Sequence, residues 1–142
     1  MNCLPQSLTL PPETKTGAGA ITGLIQSCQQ FGPRGMLVCG GSLERSGKLA
    51  AILGNRVAGT VDIWIYPGGE PTLHQVERFR EAARNHQPDW VAAVGGGSVI
   101  DLAKAGAGLL KAPMPVAAYH DGESIPPSTI PFVVAPTTAG TG

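Results

Sequence analysis

Charge is scarce in this chain. Only 14% of its 142 residues are charged, and ten Lys and Arg offset ten Asp and Glu to a formal net charge of zero. A chain without a basic patch lacks the electrostatic footprint of a nucleic-acid binder, so no nucleic acid is expected as a partner. Long apolar runs are missing too, so no segment is expected to cross a membrane. The first ten residues lack a basic stretch followed by an apolar core; no signal peptide is expected, and the expected compartment is cytoplasmic. Cysteines are three, Cys3, Cys28 and Cys39. That number is odd and the spacing wide, as for reduced thiols rather than a disulfide frame or a zinc site. His74, His86 and His120 do not have metal-ligand spacing and are expected to face solvent. No Ser-His-Asp or Cys-His arrangement can be argued. The common dinucleotide fingerprint G-x-G-x-x-G is also absent.

What is present is glycine, proline and short aliphatic runs: 20 Gly, 13 Pro and only seven aromatic residues (three Phe, two Tyr, two Trp). The length suits one domain with its own core. Residues 36–39, 61–66, 90–94 and 132–135 read as buried strands, and 13–16 and the neighbourhood of Val116 as short additional ones. Between them, Ile21, Leu24, Ile25 and Cys28 have helical spacing, stopped by Gly32-Pro33. Ser42 is expected to cap a helix with Leu43, Ser46 or Gly47, Ala50 and Leu53 inward and Gly54 as its stop. Thr72 and Gln75 predict a capping box. In the helix that follows, Leu73, Val76, Phe79 and Ala83 are the apolar side and Glu77, Arg80, Glu81 and Arg84 the wet side. A helix from Ser98 to about Leu110 is apolar nearly all round, with Gly106 and Gly108 permitting close approach to a neighbour. Residues 112–131 read as an irregular excursion.

Alternating strands and helices predict a Rossmann-like, doubly wound α/β fold with a mostly parallel sheet. Ligands of such sheets bind beyond the carboxyl ends of the strands. The glycine- and threonine-rich segments fall at those ends. Gly95-Gly96-Gly97-Ser98 follows the strand 90–94 and opens a helix. Three residues without a Cβ let an anion approach the first helical amides, which have no internal acceptor and sit at the positive end of the helix dipole. Asp101, three residues after Ser98, either closes a capping box or faces another part of a ligand. Gly40-Gly41-Ser42 follows the strand 36–39, and no acid stands there to bind ribose hydroxyls. Room for a 2′-phosphate favours NADP over NAD, although a helix cap alone explains the same residues. Arg45, one turn along, either adds a cation or points to solvent. Thr137 and Thr138 open a hydroxyl-rich turn after the last strand.

Together these motifs resemble the iron-containing, or group III, alcohol dehydrogenases. Gly95-Gly96-Gly97-Ser98-Val99-Ile100-Asp101-Leu102-Ala103-Lys104 is similar to that family's GGGSxxDxAK, and residues 136–142 to its PTTAGTG. Glu70-Pro71 is similar to the family's E-P-N-P turn, with Thr72 where asparagine is usual. The resemblance implies an N-terminal NAD(P)-binding domain over 1–142. It implies pyrophosphate binding by Gly96, Gly97 and Ser98 in the Gly95 turn. Asp101 would stand on the nicotinamide side and Thr137 and Thr138 near the adenosine half, with Gly40-Gly41-Ser42 matching the NADP type. It further implies a helical domain carrying a divalent metal, iron or zinc, on one Asp and three His. The sequence stops inside PTTAGTG before any such ligand, so the expectation is a fragment that is inactive alone and self-associates as a homo-oligomer. Its parent would move hydride between a nicotinamide dinucleotide and a small alcohol or aldehyde. Glycerol dehydrogenase, dehydroquinate synthase and maleylacetate reductase share the expected fold; a non-catalytic nucleotide-binding module is the alternative of another class.

Overall fold

The computed structural model describes residues 11–54 and 60–138. Cys3 and the 139–142 part of the threonine-rich turn lie outside the described residues. Four strands, β1 (Gly35–Gly40), β2 (Val61–Tyr66), β3 (Trp90–Gly95) and β4 (Phe132–Pro136), form one sheet in the order β2-β1-β3-β4. All three pairings are parallel, with Met36 opposite Asp62 and Val91, and Ala93 opposite Val134. Among the described residues six α-helices accompany them: α1 (Leu24–Cys28), α2 (Gly41–Arg45), α3 (Lys48–Leu53), α4 (Leu73–His86), α5 (Gly97–Gly108) and α6 (Val116–His120). The doubly wound α/β expectation holds. From β1 the chain adds β2 on one side and β3 on the other, so the topological switch point lies between the ends of β1 and β3.

Period-two alternation divides the core. Met36, Val38, Val91 and Ala93 face Phe79, Leu102, Ala103 and Tyr119 on the side of α4, α5 and α6. Leu37, Cys39, Ala92 and Val94 face Ile25, Cys28 and Ile52 on the side of α1 and α3. Parallel strands buried on both faces read as continuous apolar runs, which is why β1 and β3 were legible. Glycine permits close packing in the core: a Cβ on Gly35 would sit 2.0 Å from the Trp90 ring, and one on Gly106 would sit 2.2 Å from Phe79. Gly108 has open space instead, so it is not a contact glycine.

Several expectations change. Residues 13–16 form no strand; Lys15 there pairs with Glu13 and donates to Ser27. The expected single helix after β1 is two short ones, broken at Gly47, whose φ of 71° only glycine adopts readily, and Ile52 and not Ala50 is its buried residue. The Val116 region is helical, because the carboxylate of Glu77 accepts the Val116 N–H at 2.7 Å and so caps the first turn of α6. Strand β4 is half exposed, with Val134 at 43%, since it is the last strand in the sheet order among the described residues.

The wet side of α4 is the largest departure. Arg80 is 2% exposed. It binds Glu77 and donates to the Met114 carbonyl at 2.7 Å. Arg84 donates to the carbonyls of Leu110 and Ala112. Partial burial pushes the Glu77 carboxyl up, but the Val116 N–H, the Arg80 hydrogen bond and the charges of Arg80 and Arg84 together hold it below its ordinary value. These three side chains clamp the segment from α5 to α6. The capping box at Thr72 is present as expected, with the Thr72 hydroxyl accepting from the Gln75 N–H at 3.1 Å and Gln75 accepting from the Thr72 N–H at 2.9 Å.

Candidate functional site

The strand ends build the site. Thr137 N–H donates to the Gly95 carbonyl at 3.0 Å, which extends the β3–β4 pairing past the sheet and lays the threonine turn against the glycine turn. A Cβ on Gly96 would stand 3.4 Å from Thr138 Cγ2, and a Cβ on Gly40 would stand 3.7 Å from Val99 Cγ2. Gly40, Ser42, Gly95, Gly96, Val99 and Thr137 thereby share one cavity of about 590 Å³ at the switch point. Its other wall comes from Ile21 in the 3-10 turn before α1, Leu43 of α2 and Ile52 of α3.

At the start of α5, Gly96 and Val99 line this cavity, and Gly97 and Ser98 do not. The N-cap of α5 is Gly96, and the first intrahelical bond is Ile100 N–H to Gly96 O at 3.1 Å. The amides of Gly97, Ser98 and Val99 therefore have no acceptor within the helix. Nothing lies within 4 Å of a Cβ built on Gly97. Gly95 is different: a Cβ there would meet Val99 at 2.8 Å, so this glycine serves the close packing of strand against helix.

The expected cap chemistry is absent. No side chain caps α5 or α2, whose N-cap is Gly40, so Ser98 and Ser42 are second helical residues and not caps. Asp101 does not close on Ser98; it is exposed and pairs with Lys104 at 2.9 Å. It does not line the cavity.

Gly41 belongs to a second recess of about 420 Å³, bounded by Gly40, Ser42, Glu44 and Arg45 on one side and by Ile65, Tyr66, Pro67 and Gly68 on the other. Tyr66 Oη donates to the Gly69 carbonyl at 2.6 Å. That bond fixes a turn in which Gly68 and Gly69 have φ of 98° and 82°, values that favour glycine. Tyr66 was not singled out from sequence; its position at a strand's carboxyl end was the available signal.

The two described thiols, Cys28 and Cys39, are buried. Burial pushes Cys28 up to about 12, and burial together with the charge of Glu44 pushes Cys39 up to about 11. His74 and His120 are exposed as expected, but His86 is half buried and its Nε2 has no hydrogen-bond partner among the described residues. No group of three or more His, Cys, Asp or Glu converges among the described residues. A divalent metal thus finds no donor set there.

An open parallel α/β sheet with a glycine-lined cavity at its switch point is the class defined by this geometry. The family model described as "Iron-containing alcohol dehydrogenase" matches residues 11–142. The chain belongs to the iron-containing alcohol dehydrogenase family. It is similar to the probable alcohol dehydrogenase EutG of Escherichia coli, 33% identical over 140 residues that make up 96% of this chain and 35% of the relative. It is also similar to an NADPH-dependent butanol dehydrogenase of Clostridium saccharobutylicum, 37% identical over 68% of this chain and 25% of the relative. Among solved structures it resembles sulfoacetaldehyde reductase of Bifidobacterium kashiwanohense in complex with NAD+. There the TM-score is 0.78 at 26% identity, over 88% of this chain and 34% of the other. The chain spans about a third of the length of the first of these relatives and of the solved structure. No helix among the described residues is long and apolar enough to cross a membrane.

Proposed function

We propose that residues 1–142 form the nicotinamide-dinucleotide-binding domain of a metal-dependent alcohol dehydrogenase acting on a small alcohol or aldehyde. One observation carries this reading: three strand ends bring Gly40, Gly95, Gly96 and Thr137 around a single cavity at the switch point, beside helical amides without acceptors. The pyrophosphate would lie on the amides of Gly97 and Ser98, with Gly96 allowing backbone approach. Thr137 and Thr138 would stand along the adenosine half. Asp101, paired with Lys104, gains no support from this geometry for a nicotinamide-side role. The nicotinamide supplies hydride chemistry when bound; the residues described here bind and orient it. The metal would be held by parts of the family's enzymes outside the described residues. The reading includes a cytoplasmic homo-oligomer. The half-exposed β4 supports self-association, and sedimentation at rising concentration checks it, a concentration-independent monomer counting against it.

NADP is the favoured cofactor. The end of β1 carries Gly40 and Gly41 where an acid would repel a 2′-phosphate, and Arg45 stands in the adjoining recess. The relatives' names include both NADPH and NAD+, so membership alone does not choose. Calorimetry with NADPH and NADH on the wild type and Gly40→Asp is the test. Space is available for the new Cβ, whose nearest neighbour would be 3.7 Å away. The expected result is a wild-type preference for NADPH and a shift toward NADH of about 1–3 kcal/mol in the variant. A wild type that prefers NADH, or an unchanged ratio, refutes the assignment.

A further inference from the structure

We infer that Arg45, laid back over Gly41, is the residue that reads the ribose 2′-phosphate, and that Gly41 is glycine to leave it room. This rests on the NADP reading above and names the group behind it. The two residues are one helical turn apart in α2. Helical side chains lean toward the helix N-terminus, over the residue four positions earlier. Here a Cβ on Gly41 would fall 2.9 Å from Arg45 Nη1 and 3.7 Å from its Cζ, so the guanidinium occupies the space that a side chain at 41 would take. It borders the 420 Å³ recess between the ends of β1 and β2. Its charge is uncommitted: Arg45 has no hydrogen bond or ion pair among the described residues. In contrast, Arg80 and Arg84 are fully engaged with carbonyls and a carboxylate. A planar guanidinium presents several donors in a fork that matches phosphate oxygens.

Glu44 borders the same recess and carries the opposite charge. Its field reaches the end of β1, where it helps to raise the Cys39 thiol. The recess therefore holds one group suited to a phosphate and one suited to ribose hydroxyls. The back-folded path of Arg45 over Gly41 puts the cation at the strand end, beside Gly40, where an extra phosphate would arrive. Glu44 opposes that phosphate and moderates the preference.

The test uses adenosine-half probes, 2′,5′-ADP and 5′-ADP, titrated calorimetrically into the 142-residue chain. Arg45→Ala should reduce the preference for 2′,5′-ADP by about 10- to 100-fold and change 5′-ADP binding by less than about two-fold. Gly41→Ala should shift the ratio the same way by displacing the guanidinium. Because the displaced atom is the end of a flexible side chain, the fold survives, and the same change in an Arg45→Ala background should add nothing. Glu44→Gln should increase the preference. A wild type that prefers 2′,5′-ADP but keeps its ratio in Arg45→Ala overturns the inference and leaves the NADP reading standing. So does a preference for 2′,5′-ADP that falls in Glu44→Gln. A wild type without preference, or without binding of either probe, overturns the NADP reading and this inference with it.

Discussion

The two faces of the sheet are built differently. On one, α4 and α5 run 14 and 12 residues and bury Phe79, Leu102 and Ala103 against β1 and β3. On the other, α1, α2 and α3 have only five or six residues each, and the chain between α2 and α3 turns through Gly47. Helices that short gain little from their own hydrogen bonds and rely on packing. They leave the cavity and the recess open at the strand ends. Glycines mark the contrast. Gly35 and Gly106 are filled against by Trp90 and Phe79, whereas Gly97 looks into open space and a Cβ on Gly40 would only reach ordinary contact with Val99. The long-helix face buries the larger cluster of the core, and the short-helix face leaves the cavity and the recess open.

The strongest way to break this comparison is Arg80→Ala. It removes a buried cation and leaves Glu77 and the Met114 carbonyl without their partner, so unfolding should become easier by about 3 kcal/mol. Urea denaturation reads it; a loss below about 1 kcal/mol would mean that the clamp is dispensable. A smaller effect follows from pH. The Glu77 carboxyl lies below its ordinary 4.5 in the folded chain. A depressed carboxylate contributes stability that is present above the unfolded value and lost as pH falls through the folded one. Wild-type stability should therefore decline as pH drops below about 4.5, and Glu77→Gln should flatten that part of the profile. An identical acid profile in the variant would remove Glu77 from the account. The smallest effect on stability belongs to the other face. Gly40→Asp should move the unfolding free energy by no more than about 0.5 kcal/mol while it changes cofactor choice. A large loss there would show that the ligand face also carries the fold.

Particular elements show what was legible. Strands β1 and β3 were plain because burial on both faces makes every residue apolar. The Thr72 cap was plain because both partners lie within four residues. The glycine turns at the strand ends were plain for the same local reason. Arg80 was not, because its acceptor comes from Met114, 34 residues later, and a charge at that position reads as solvent-facing until the partner carbonyl is in place. The break at Gly47 needed a φ that sequence periodicity does not report. Val116 is β-branched and follows a proline, so its helix was decided by the distant Glu77 carboxylate.

The sequence by itself determined the parallel α/β sheet, the family and the clustering of glycine and threonine at the strand ends, since each depends on short-range pattern. Only the tertiary structure decided which glycines serve packing and which face a cavity, that Arg80 is buried against the Met114 carbonyl, and that Glu77 caps the distant Val116. Those outcomes depend on distances between residues that the chain brings together only when the sheet and its helices pack.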